Sequence, residues 1–557
     1  MQNKIILFLL GCTLLACNNK KYDTIIRNGI IYDGNGGSPY KADIAIQNDT
    51  IAFIGDLSKV SALNDIDGKG NAIAPGFINM MGHSEESLFQ DGRSQSDIRQ
   101  GVTTEIFGES SFGPLNAKMK KQLQDGQGDI QYAVTWNSLG EYMQALEKKN
   151  IACNIASFVG TGTIRQNVMG EDDIQPNPSQ LDSMKLLVRQ AMEEGALGVT
   201  NALIYPPDFF AKTDELIALS KEAAKYGGTY SSHMRSEGNH FLEALEELIT
   251  ISKEANIPCE IFHLKAAGKN NWYKMDTAIK RVERARREGQ DISADMYTYL
   301  AGATGLTSSF PPTLQDGGFG KLRERLQDPV VRKQMSKAMN TDAKDWENLY
   351  FGCGGAEHVL LLGFKQDSLK KYTGKTLAEV AKLKNKSAEE TAMDLIVHDS
   401  TRVGVAYFLM NEDNVKKQIA LPWVSFGSDE GSYTTEGVFL KSNAHPRAYG
   451  NFARVLGHYS RDEKVVSLQV AIKKLANLPA IHLKLKGRGE IKVGNYADIV
   501  LFDPLKVKDY ATYEKPHQYA TGMIHVWVNG IQVLKEGEPT NAKPGRFIKG
   551  PGFKKEG

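Results

Sequence analysis

Cysteine and proline are scarce in this 557-residue sequence, and neither sign of charge is in excess. The five cysteines form no Cys-x-x-Cys pair, and the three that lie beyond residue 17 are widely spaced, which argues against a disulfide framework. Lys and Arg number 67 against 66 Asp and Glu, so the chain lacks the strongly basic surface typical of nucleic-acid-binding proteins. With 19 prolines and 53 glycines the composition is not collagenous. There is a single long apolar run, which excludes a bundle of membrane helices.

That run occupies residues 5–16 and is too short for a transmembrane helix, which needs about 20 residues. Lys4 precedes it and Leu14-Leu15-Ala16-Cys17 ends it, so residues 1–16 are typical of an export signal and resemble a bacterial lipoprotein signal peptide. Cys17 would then carry the lipid. We expect a protein of the bacterial cell envelope, on the periplasmic side or the cell surface, that contacts the membrane only through this anchor. An ordinary signal with a chance cysteine is the alternative.

Both ends of the remaining chain show the period-two alternation of short antiparallel strands, in 22–74 and again in 497–503 and 524–530. Neither end has enough strands for its own core, so we predict one small β-sandwich domain built from residues 17–74 and 482–557. The three cysteines left after the signal, Cys153, Cys259 and Cys353, are expected to be buried, unreactive thiols.

Residues 75–481 alternate apolar strand candidates with amphipathic helix candidates, which indicates parallel strands and crossover helices. The predicted fold is α/β, a (β/α)8 TIM barrel with an insertion at about 308–355 over the barrel mouth. The clearest predicted strands are 155–159, 197–200, 259–263 and 424–426. The clearest predicted helices are 183–193, 213–225 and 241–255.

In such a barrel, catalytic side chains lie at the carboxyl ends of the strands. Glu109, His233, His263 and Asp429 each follow an apolar run. Two imidazoles and two carboxylates converging on one point suit zinc or a similar divalent ion, with one position left for water. Taken singly, each signal is weak, since a strand-end histidine is often a structural residue and Glu109 could be a solvated loop residue or a helix cap.

A dozen short motifs, in order, resemble the N-acyl-D-amino-acid deacylases (D-aminoacylases) of the amidohydrolase superfamily. They include Ala74-Pro75-Gly76-Phe77-Ile78, Ile204-Tyr205-Pro206-Pro207, His233-Met234-Arg235-Ser236-Glu237, His263-Leu264-Lys265, Gly427-Ser428-Asp429 and His445-Pro446-Arg447. The resemblance implies metal-dependent hydrolysis of the amide bond of a small N-acyl-D-amino acid, which releases a carboxylate and a free D-amino acid.

Two positions depart from the family pattern. Met81 stands where the family has the first histidine of a His-x-His pair, so that only His83 remains, and Ser110 stands where a metal-binding cysteine is usual. Neither is a good ligand for zinc. By similarity to amidohydrolases that deacetylate amino sugars, we expect a single ion, zinc in the first place, held by Glu109, His233 and His263. His83 is a further possible ligand, and a second metal is doubtful.

The resemblance also assigns catalytic and substrate-binding roles. Asp429 would take the proton of the attacking water and return it to the departing amine, and Tyr205 would donate to the developing oxyanion. Arg447 would bind the α-carboxylate of the substrate, with Tyr297 and Thr304 as hydrogen-bonding partners. Lys265 could meet a second acidic group of the substrate.

Other readings stay open at this point. A dipeptidase or a cyclic-amide hydrolase on the same scaffold would share the metal and Asp429 but would differ in the need for Arg447 to meet a free carboxylate. Met81 and Ser110 would also suit a binding lipoprotein that has lost catalysis.

Overall fold

The computed structural model describes residues 22–554. The predicted signal segment and Cys17 lie outside these residues. Within them, no helix has both the length and the apolar character needed to cross a bilayer. Cys153, Cys259 and Cys353 are buried free thiols, as predicted.

Five strands open the described chain. They are β1 (Tyr22–Ile31), β2 (Tyr40–Gln47), β3 (Thr50–Gly55), β4 (Ala62–Asp67) and β5 (Ala72–Pro75). β1 pairs with β2 along one edge; on its other edge the first half pairs with β4 and the second half with β5. The pairing with β2 is interrupted between Ile26 and Gly29, where Asn28 has a φ of 54°. The sheet therefore divides into two arms at β1.

The barrel follows directly. Its strands are β6 (Phe77–Gly82), β7 (Val102–Phe107), β8 (Asn154–Ser157), β9 (Val159–Gly160), β10 (Gly198–Ala202), β11 (Thr229–His233), β12 (Cys259–Ile261) and β13 (Ile292–Ala294). All neighbouring pairs within the two sheets they form are parallel. Residues 423–427 complete the ring, because Ala294 N–H donates to Trp423 O (3.2 Å) and Met80 N–H donates to Phe426 O (3.1 Å). Because β8 and β9 follow one another as a single bent strand, the barrel has eight strand positions.

Helices cover the outside of these strands. They are α1 (Ser87–Gln90), α2 (Gln95–Ile98), α3 (Ala117–Gly126), α4 (Leu139–Lys149), α5 (Thr161–Met169), α6 (Pro178–Glu194), α7 (Thr213–Ala224), α8 (Phe241–Ala255) and α9 (Met275–Arg287). α8 shows the usual logic: its buried side chains recur three to four residues apart and pack on the barrel, as in Leu245, Leu248 and Ile249.

A second small core lies over one end of the barrel. It contains β14 (Ala301–Gly305), α10 (Phe319–Arg325), α11 (Pro329–Met339), α12 (Leu349–Gly352), β15 (Val359–Gly363), α13 (Leu377–Lys384), α14 (Ala388–Asp399) and β16 (Gly404–Phe408). The three strands form an antiparallel sheet in the order β14-β16-β15. The insertion expected at about 308–355 is thus one half of a larger unit that spans residues 301–409.

The chain then returns to the barrel and the first sheet. The remaining elements are α15 (Glu412–Ala420), α16 (Arg447–Arg454), α17 (Leu468–Ile472), α18 (Leu478–His482), β17 (Ile499–Phe502), β18 (Met523–Val528), β19 (Ile531–Lys535) and β20 (Glu538–Pro539), with π-helical turns at Val455–Asp462 and Lys473–Asn477. β17 pairs with β5, so strands from both chain ends form one nine-stranded sheet. Ile26, Ile73, Ile499 and Trp527 share its buried core.

Candidate metal centre

Three side chains converge at the carboxyl end of the barrel. Glu109 lies two residues beyond β7, His233 ends β11, and His263 lies two residues beyond β12. Glu109 Oε1 is 2.7 Å from His233 Nδ1 and 2.9 Å from His263 Nε2. One donor atom from each residue lies within 4.8 Å of the others, and both histidines are buried. The structure thus brings together the three residues that the sequence suggested as metal ligands.

The donor set fits a divalent ion of the zinc type. A carboxylate oxygen and two imidazole nitrogens are normal zinc ligands, and catalytic sites usually offer three protein ligands with a fourth position for water. Two ligands of one tetrahedral zinc ion, each bound at 2.0–2.2 Å, lie about 3.3 Å apart. The separations found here need only a small widening to admit the ion.

The backbone is left-handed at three site residues. The φ angles are 64° at Glu109, 35° at His263 and 50° at Asp429. Non-glycine residues adopt this region at a cost of about 1–3 kcal/mol each and do so mainly at functional sites. Each of the three lies within two residues of the end of a barrel strand, so the sharp turn redirects the chain where its side chain enters the site.

Glu237 supports the cluster from behind. Its Oε1 lies 2.9 Å from His263 Nδ1 and accepts a hydrogen bond from Lys265 Nζ at 2.6 Å. Burial disfavours the Glu237 carboxylate, but the charges of Lys265, His233 and His263 outweigh burial and lower the pKa of Glu237 to about 2. A carboxylate behind a ligating imidazole fixes the ring and its tautomer. Lys265, expected to meet the substrate, has its charge taken up by Glu237.

A second residue that the sequence reasoning missed is Asp295. Its Oδ1 accepts the backbone N–H of His263 at 3.0 Å, and the carboxyl group is fully buried. This bond holds the strained turn at His263 in place. The available signal was that Asp295 directly follows the apolar end of β13.

Asp429 lies between two cations. His83 Nε2 is 3.2 Å from Asp429 Oδ1, and Arg447 Nη1 is 2.7 Å from Asp429 Oδ2. Burial opposes ionisation of Asp429, but the charges of Arg447, His263 and His83 outweigh burial and hold its pKa well below the usual range. Burial likewise opposes protonation of His83, whereas the bond to Asp429 and the charge of Glu85 raise its pKa to about 9. His83 is therefore placed as the partner of Asp429, outside the three-donor cluster.

Arg447 is a buried cation with free hydrogen-bonding capacity. It is 1% exposed, and its guanidinium lies 4.3 Å from the centre of the Tyr297 ring. Within residues 22–554 its Nε has no hydrogen-bond partner. Leaving a buried donor unsatisfied costs free energy, and Arg447 also lies on the wall of the cavity, where a ligand can approach it.

Tyr205 and Thr304 contact each other beside the three-donor cluster. The two hydroxyls lie 2.7 Å apart, and the Tyr205 ring is 5.4 Å from the His233 ring, centre to centre. Burial and the charge of Glu109 raise the pKa of Tyr205 above its usual value, so the phenol keeps its proton. Thr304 belongs to the insertion, which thereby contributes to the site.

Except for Asp295, these residues line one cavity of about 850 Å³ between the barrel and the insertion. The two departures from the family pattern differ in their surroundings. Met81 is fully buried in an apolar cluster with Phe158 and Phe262, and Ser110 lines the cavity. Neither belongs to the three-donor cluster found in the described chain.

Comparisons with known proteins agree with this architecture. A family model described as amidohydrolase family matches residues 325–534. The D-aminoacylase of Alcaligenes xylosoxydans xylosoxydans is 31% identical over 95% of this chain and 98% of its own length. The N-acyl-D-glutamate deacylase of the same organism is 28% identical over 95% of this chain and 97% of its own.

Solved structures give the same result. A D-aminoacylase crystal structure superimposes with a TM-score of 0.78 at 31% identity and covers 95% of this chain and 100% of that one. The N-acyl-D-glutamate deacylase of Bordetella bronchiseptica, solved with zinc and a phosphonate mimic of the tetrahedral intermediate, also has a TM-score of 0.78, at 26% identity and with 95% and 100% coverage. The predicted barrel with its β-sandwich is confirmed, and the chain belongs to the D-aminoacylase family of amidohydrolases.

Proposed function

We propose that the protein hydrolyses the amide bond of N-acyl-D-amino acids and releases a carboxylate and the free D-amino acid. The observation that carries this proposal is the buried Arg447 beside Asp429 and the three-donor cluster, with its Nε unpartnered within residues 22–554. A guanidinium with free donors is suited to a substrate carboxylate. A cyclic amide without a carboxyl substituent, such as a simple hydantoin, has no carboxylate for Arg447 to bind, so the linear N-acyl amino acid is favoured over it.

One divalent ion, zinc in the first place, would be held by Glu109, His233 and His263. When bound, such an ion lowers the pKa of water and polarises a carbonyl group. Met81 and Ser110 support a count of one, because both positions that depart from the family pattern lack a ligand. A D-aminoacylase that is 31% identical to this chain has a binuclear metal centre with one-metal activation and second-metal attenuation.

Asp429, Tyr205 and Arg447 each have a separate role in the proposed reaction. Asp429 is ionised at neutral pH and accepts a proton from the attacking water, then returns it to the amine nitrogen, which leaves poorly unless protonated. The Tyr205 hydroxyl, which keeps its proton, donates to the oxygen of the scissile carbonyl. Arg447 binds the α-carboxylate over the Tyr297 ring and fixes the substrate relative to Asp429.

The test combines metal analysis with a paired substrate panel. We expect the purified protein to bind one metal ion per chain and to hydrolyse N-acetyl-D-amino acids faster than their L-enantiomers and faster than the corresponding α-amides. Glu109→Ala should lose the metal, and His83→Ala should keep it. Metal loss in the His83 variant alone would refute the ligand set, and equal rates on acids and α-amides would refute the Arg447 clamp.

We further propose that the protein is a lipoprotein of the bacterial cell envelope, anchored through Cys17. The support is the short apolar run and the Leu14-Leu15-Ala16-Cys17 sequence. In cells fed labelled palmitate, the full-length protein should take up label and a Cys17→Ala variant should not. Equal labelling of the two would overturn the assignment.

A further inference from the structure

Two buried carboxyl groups lie outside the candidate metal centre. Glu105, in β7, is 0% exposed, and Asp97, in α2, is 3% exposed. Within residues 22–554 neither carboxyl oxygen of Glu105 has a hydrogen-bond partner. The side chains that face Asp97 are those of Ser96, Ser432 and Asn79, none of which is a cation. Buried charges in proteins are normally paired or bound to a metal ion, so this pair calls for a partner.

The two carboxyl groups belong to one site. Burial raises the pKa of Glu105 well above its usual value, and the charge of Asp97 raises it further. Burial also raises the pKa of Asp97 to about 7. Repulsion between the two charges means that the groups lie close to each other, where a single cation can neutralise both.

The hydroxyl groups of three serines face this pair. Those of Ser84 and Ser94 lower the pKa of Glu105, and that of Ser432 lowers the pKa of Asp97. Ser94 and Ser432 are 1% and 2% exposed, and within the described chain neither hydroxyl makes a hydrogen bond of normal geometry. Ser84 Oγ accepts the backbone N–H of Ser432 at 2.9 Å, which holds these two serines side by side. Buried oxygen atoms that face one another without hydrogen bonds are arranged as the ligands of a cation are.

The donor atoms define the class of cation. Hard cations such as Ca²⁺ and Mg²⁺ prefer oxygen ligands, and Ca²⁺ takes about six to eight of them. Cys153 is nearby, but burial raises the pKa of its thiol well above the usual value, and Sγ donates to Val102 O at 3.4 Å. A thiolate ligand, which would favour zinc, is therefore missing from this group of side chains. Two carboxylate charges balance one divalent ion.

We propose that this oxygen cluster binds one divalent hard cation, either Ca²⁺ or Mg²⁺. Its ligands are the carboxylates of Asp97 and Glu105 and the hydroxyl groups of Ser84, Ser94 and Ser432. The site differs in chemistry from the three-donor cluster, which contains two imidazoles.

The cation would join two segments that carry residues of the candidate active site. Ser84 directly follows His83, and Ser432 lies three residues beyond Asp429. His83 and Asp429 are themselves in contact at 3.2 Å. The oxygen cluster thus fixes the ends of β6 and of residues 423–427 relative to each other. Its effect on turnover rests on the proposed function, whereas cation binding does not.

The first experiment counts bound ions. Full-length protein is dialysed to equilibrium against zinc together with calcium chloride or magnesium chloride in separate arms, and the metals are measured by mass spectrometry. We expect about one calcium or magnesium ion per chain beside the zinc, and the arm that gives it identifies the cation. Glu105→Gln should lose this ion and keep zinc. Glu109→Ala should lose zinc and keep this ion.

Thermal unfolding gives a second readout. At a concentration about a hundredfold above Kd, the bound cation should raise the melting temperature by about 2 °C relative to sodium chloride of equal ionic strength. Glu105→Gln should abolish the shift. Ser94→Ala, which removes one hydroxyl and keeps both carboxylates, should raise Kd several-fold and tests the site even if Glu105→Gln does not fold. The control is Glu260→Gln, another buried carboxyl group (1% exposed) that faces His482 at 3.2 Å, and it should keep the wild-type shift.

The outcomes separate this site from the proposed function. If no calcium or magnesium binds at millimolar concentration and neither salt shifts the melting temperature, the site is refuted and the carboxyl groups hold protons instead. A response to sodium or potassium alone would overturn the divalent assignment. If the wild type binds the cation but the zinc-loaded protein hydrolyses no N-acyl-D-amino acid, the cation site stands and the proposed function fails.

Discussion

Asp429 is the residue that we propose as the general base. It touches His83 and Arg447 but lies outside the three-donor cluster. Asp429→Asn should therefore leave metal binding intact while kcat falls about 10²–10⁴-fold, the usual contribution of a general base. Metal content and kcat, measured on one preparation, check this. Glu430→Gln removes a neighbouring charge from the cavity lining and serves as the control. Turnover by the Asn variant near the wild-type rate would contradict the role of Asp429.

The buried Lys474, which lies away from the site, is expected to make the stability of the protein depend on pH. It is 2% exposed, it donates to backbone oxygens of Ile419 and Leu421, and burial lowers its pKa to about 7. The unfolded chain holds this proton up to about pH 10.4. Between pH 7 and 10 the unfolded state thus binds more protons than the folded state, and stability rises with pH.

Replacement of Lys474 by methionine should remove this contribution. The melting temperature of Lys474→Met, measured from pH 7 to 10, should rise less with pH than that of the wild type. The exposed Lys121→Met gives the control, since its ammonium is paired only at the surface. Parallel curves for Lys474→Met and wild type would show that Lys474 is charged in the folded state.

The convergence of Glu109, His233 and His263 could be predicted because the strand ends of a parallel barrel meet at one place, whatever the detail of packing. The residues that hold these side chains in place could not be predicted. Glu237 lies four residues beyond His233 in a loop, and its contacts with His263 and Lys265 depend on how two loops cross. The sequence gives no sign of this partner of Lys265, so from the sequence alone Lys265 is available for an acidic group of the substrate.

At the scale of elements, Gly198 sets how closely β10 and β11 approach. A Cβ at this position would lie 1.8 Å from Thr229 O, and the two strands pair in register up to Ala202 and His233. Gly198→Ala must push the strands apart, which costs about 1–3 kcal/mol or more and displaces His233. We expect a lower melting temperature and weaker metal binding, measured by thermal scans and chelator competition.

Gly404→Ala provides the matched control for this change. Gly404 lies in β16, is exposed, and its added Cβ would meet nothing closer than Leu362 Cβ at 4.0 Å. Both properties should stay near the wild-type values in this variant. Metal affinity in Gly198→Ala equal to that of Gly404→Ala would contradict the coupling of strand spacing to the site.

The elements that are predicted well from the sequence are helices whose apolar residues recur with the helical period. α8 occupies residues 241–255 as predicted, and α7 ends one residue early. α6 begins at Pro178, five residues before the prediction, because Asn177 and Gln180 form a capping box ahead of the apolar pattern. The insertion sheet was missed, since β14 pairs with β16 across about a hundred residues and neither strand carries a signal for its partner.

At the scale of the whole molecule, the C-terminal segment fastens the sandwich to the barrel. Arg546 O accepts the N–H of Ile155, Ile548 N–H donates to Ile155 O, and Gly550 N–H donates to Gly195 O. Phe547 is 5% exposed in the main core. These contacts bind a β8 residue to a segment almost four hundred positions later, which local pattern cannot reveal.

A chain that ends at Lys543 should therefore lose barrel stability, even though it keeps all nine strands of the sheet. Loss of the Phe547 ring alone costs about 3–5 kcal/mol at a buried site. The backbone N–H and carbonyl groups of Ile155 in β8 also lose their hydrogen-bond partners. A chain that ends at Gly550 retains all these contacts and should melt near the full-length protein. Thermal unfolding of the two truncated proteins, at equal metal loading, makes the comparison. Equal melting temperatures would mean that the sheet holds the barrel without this segment.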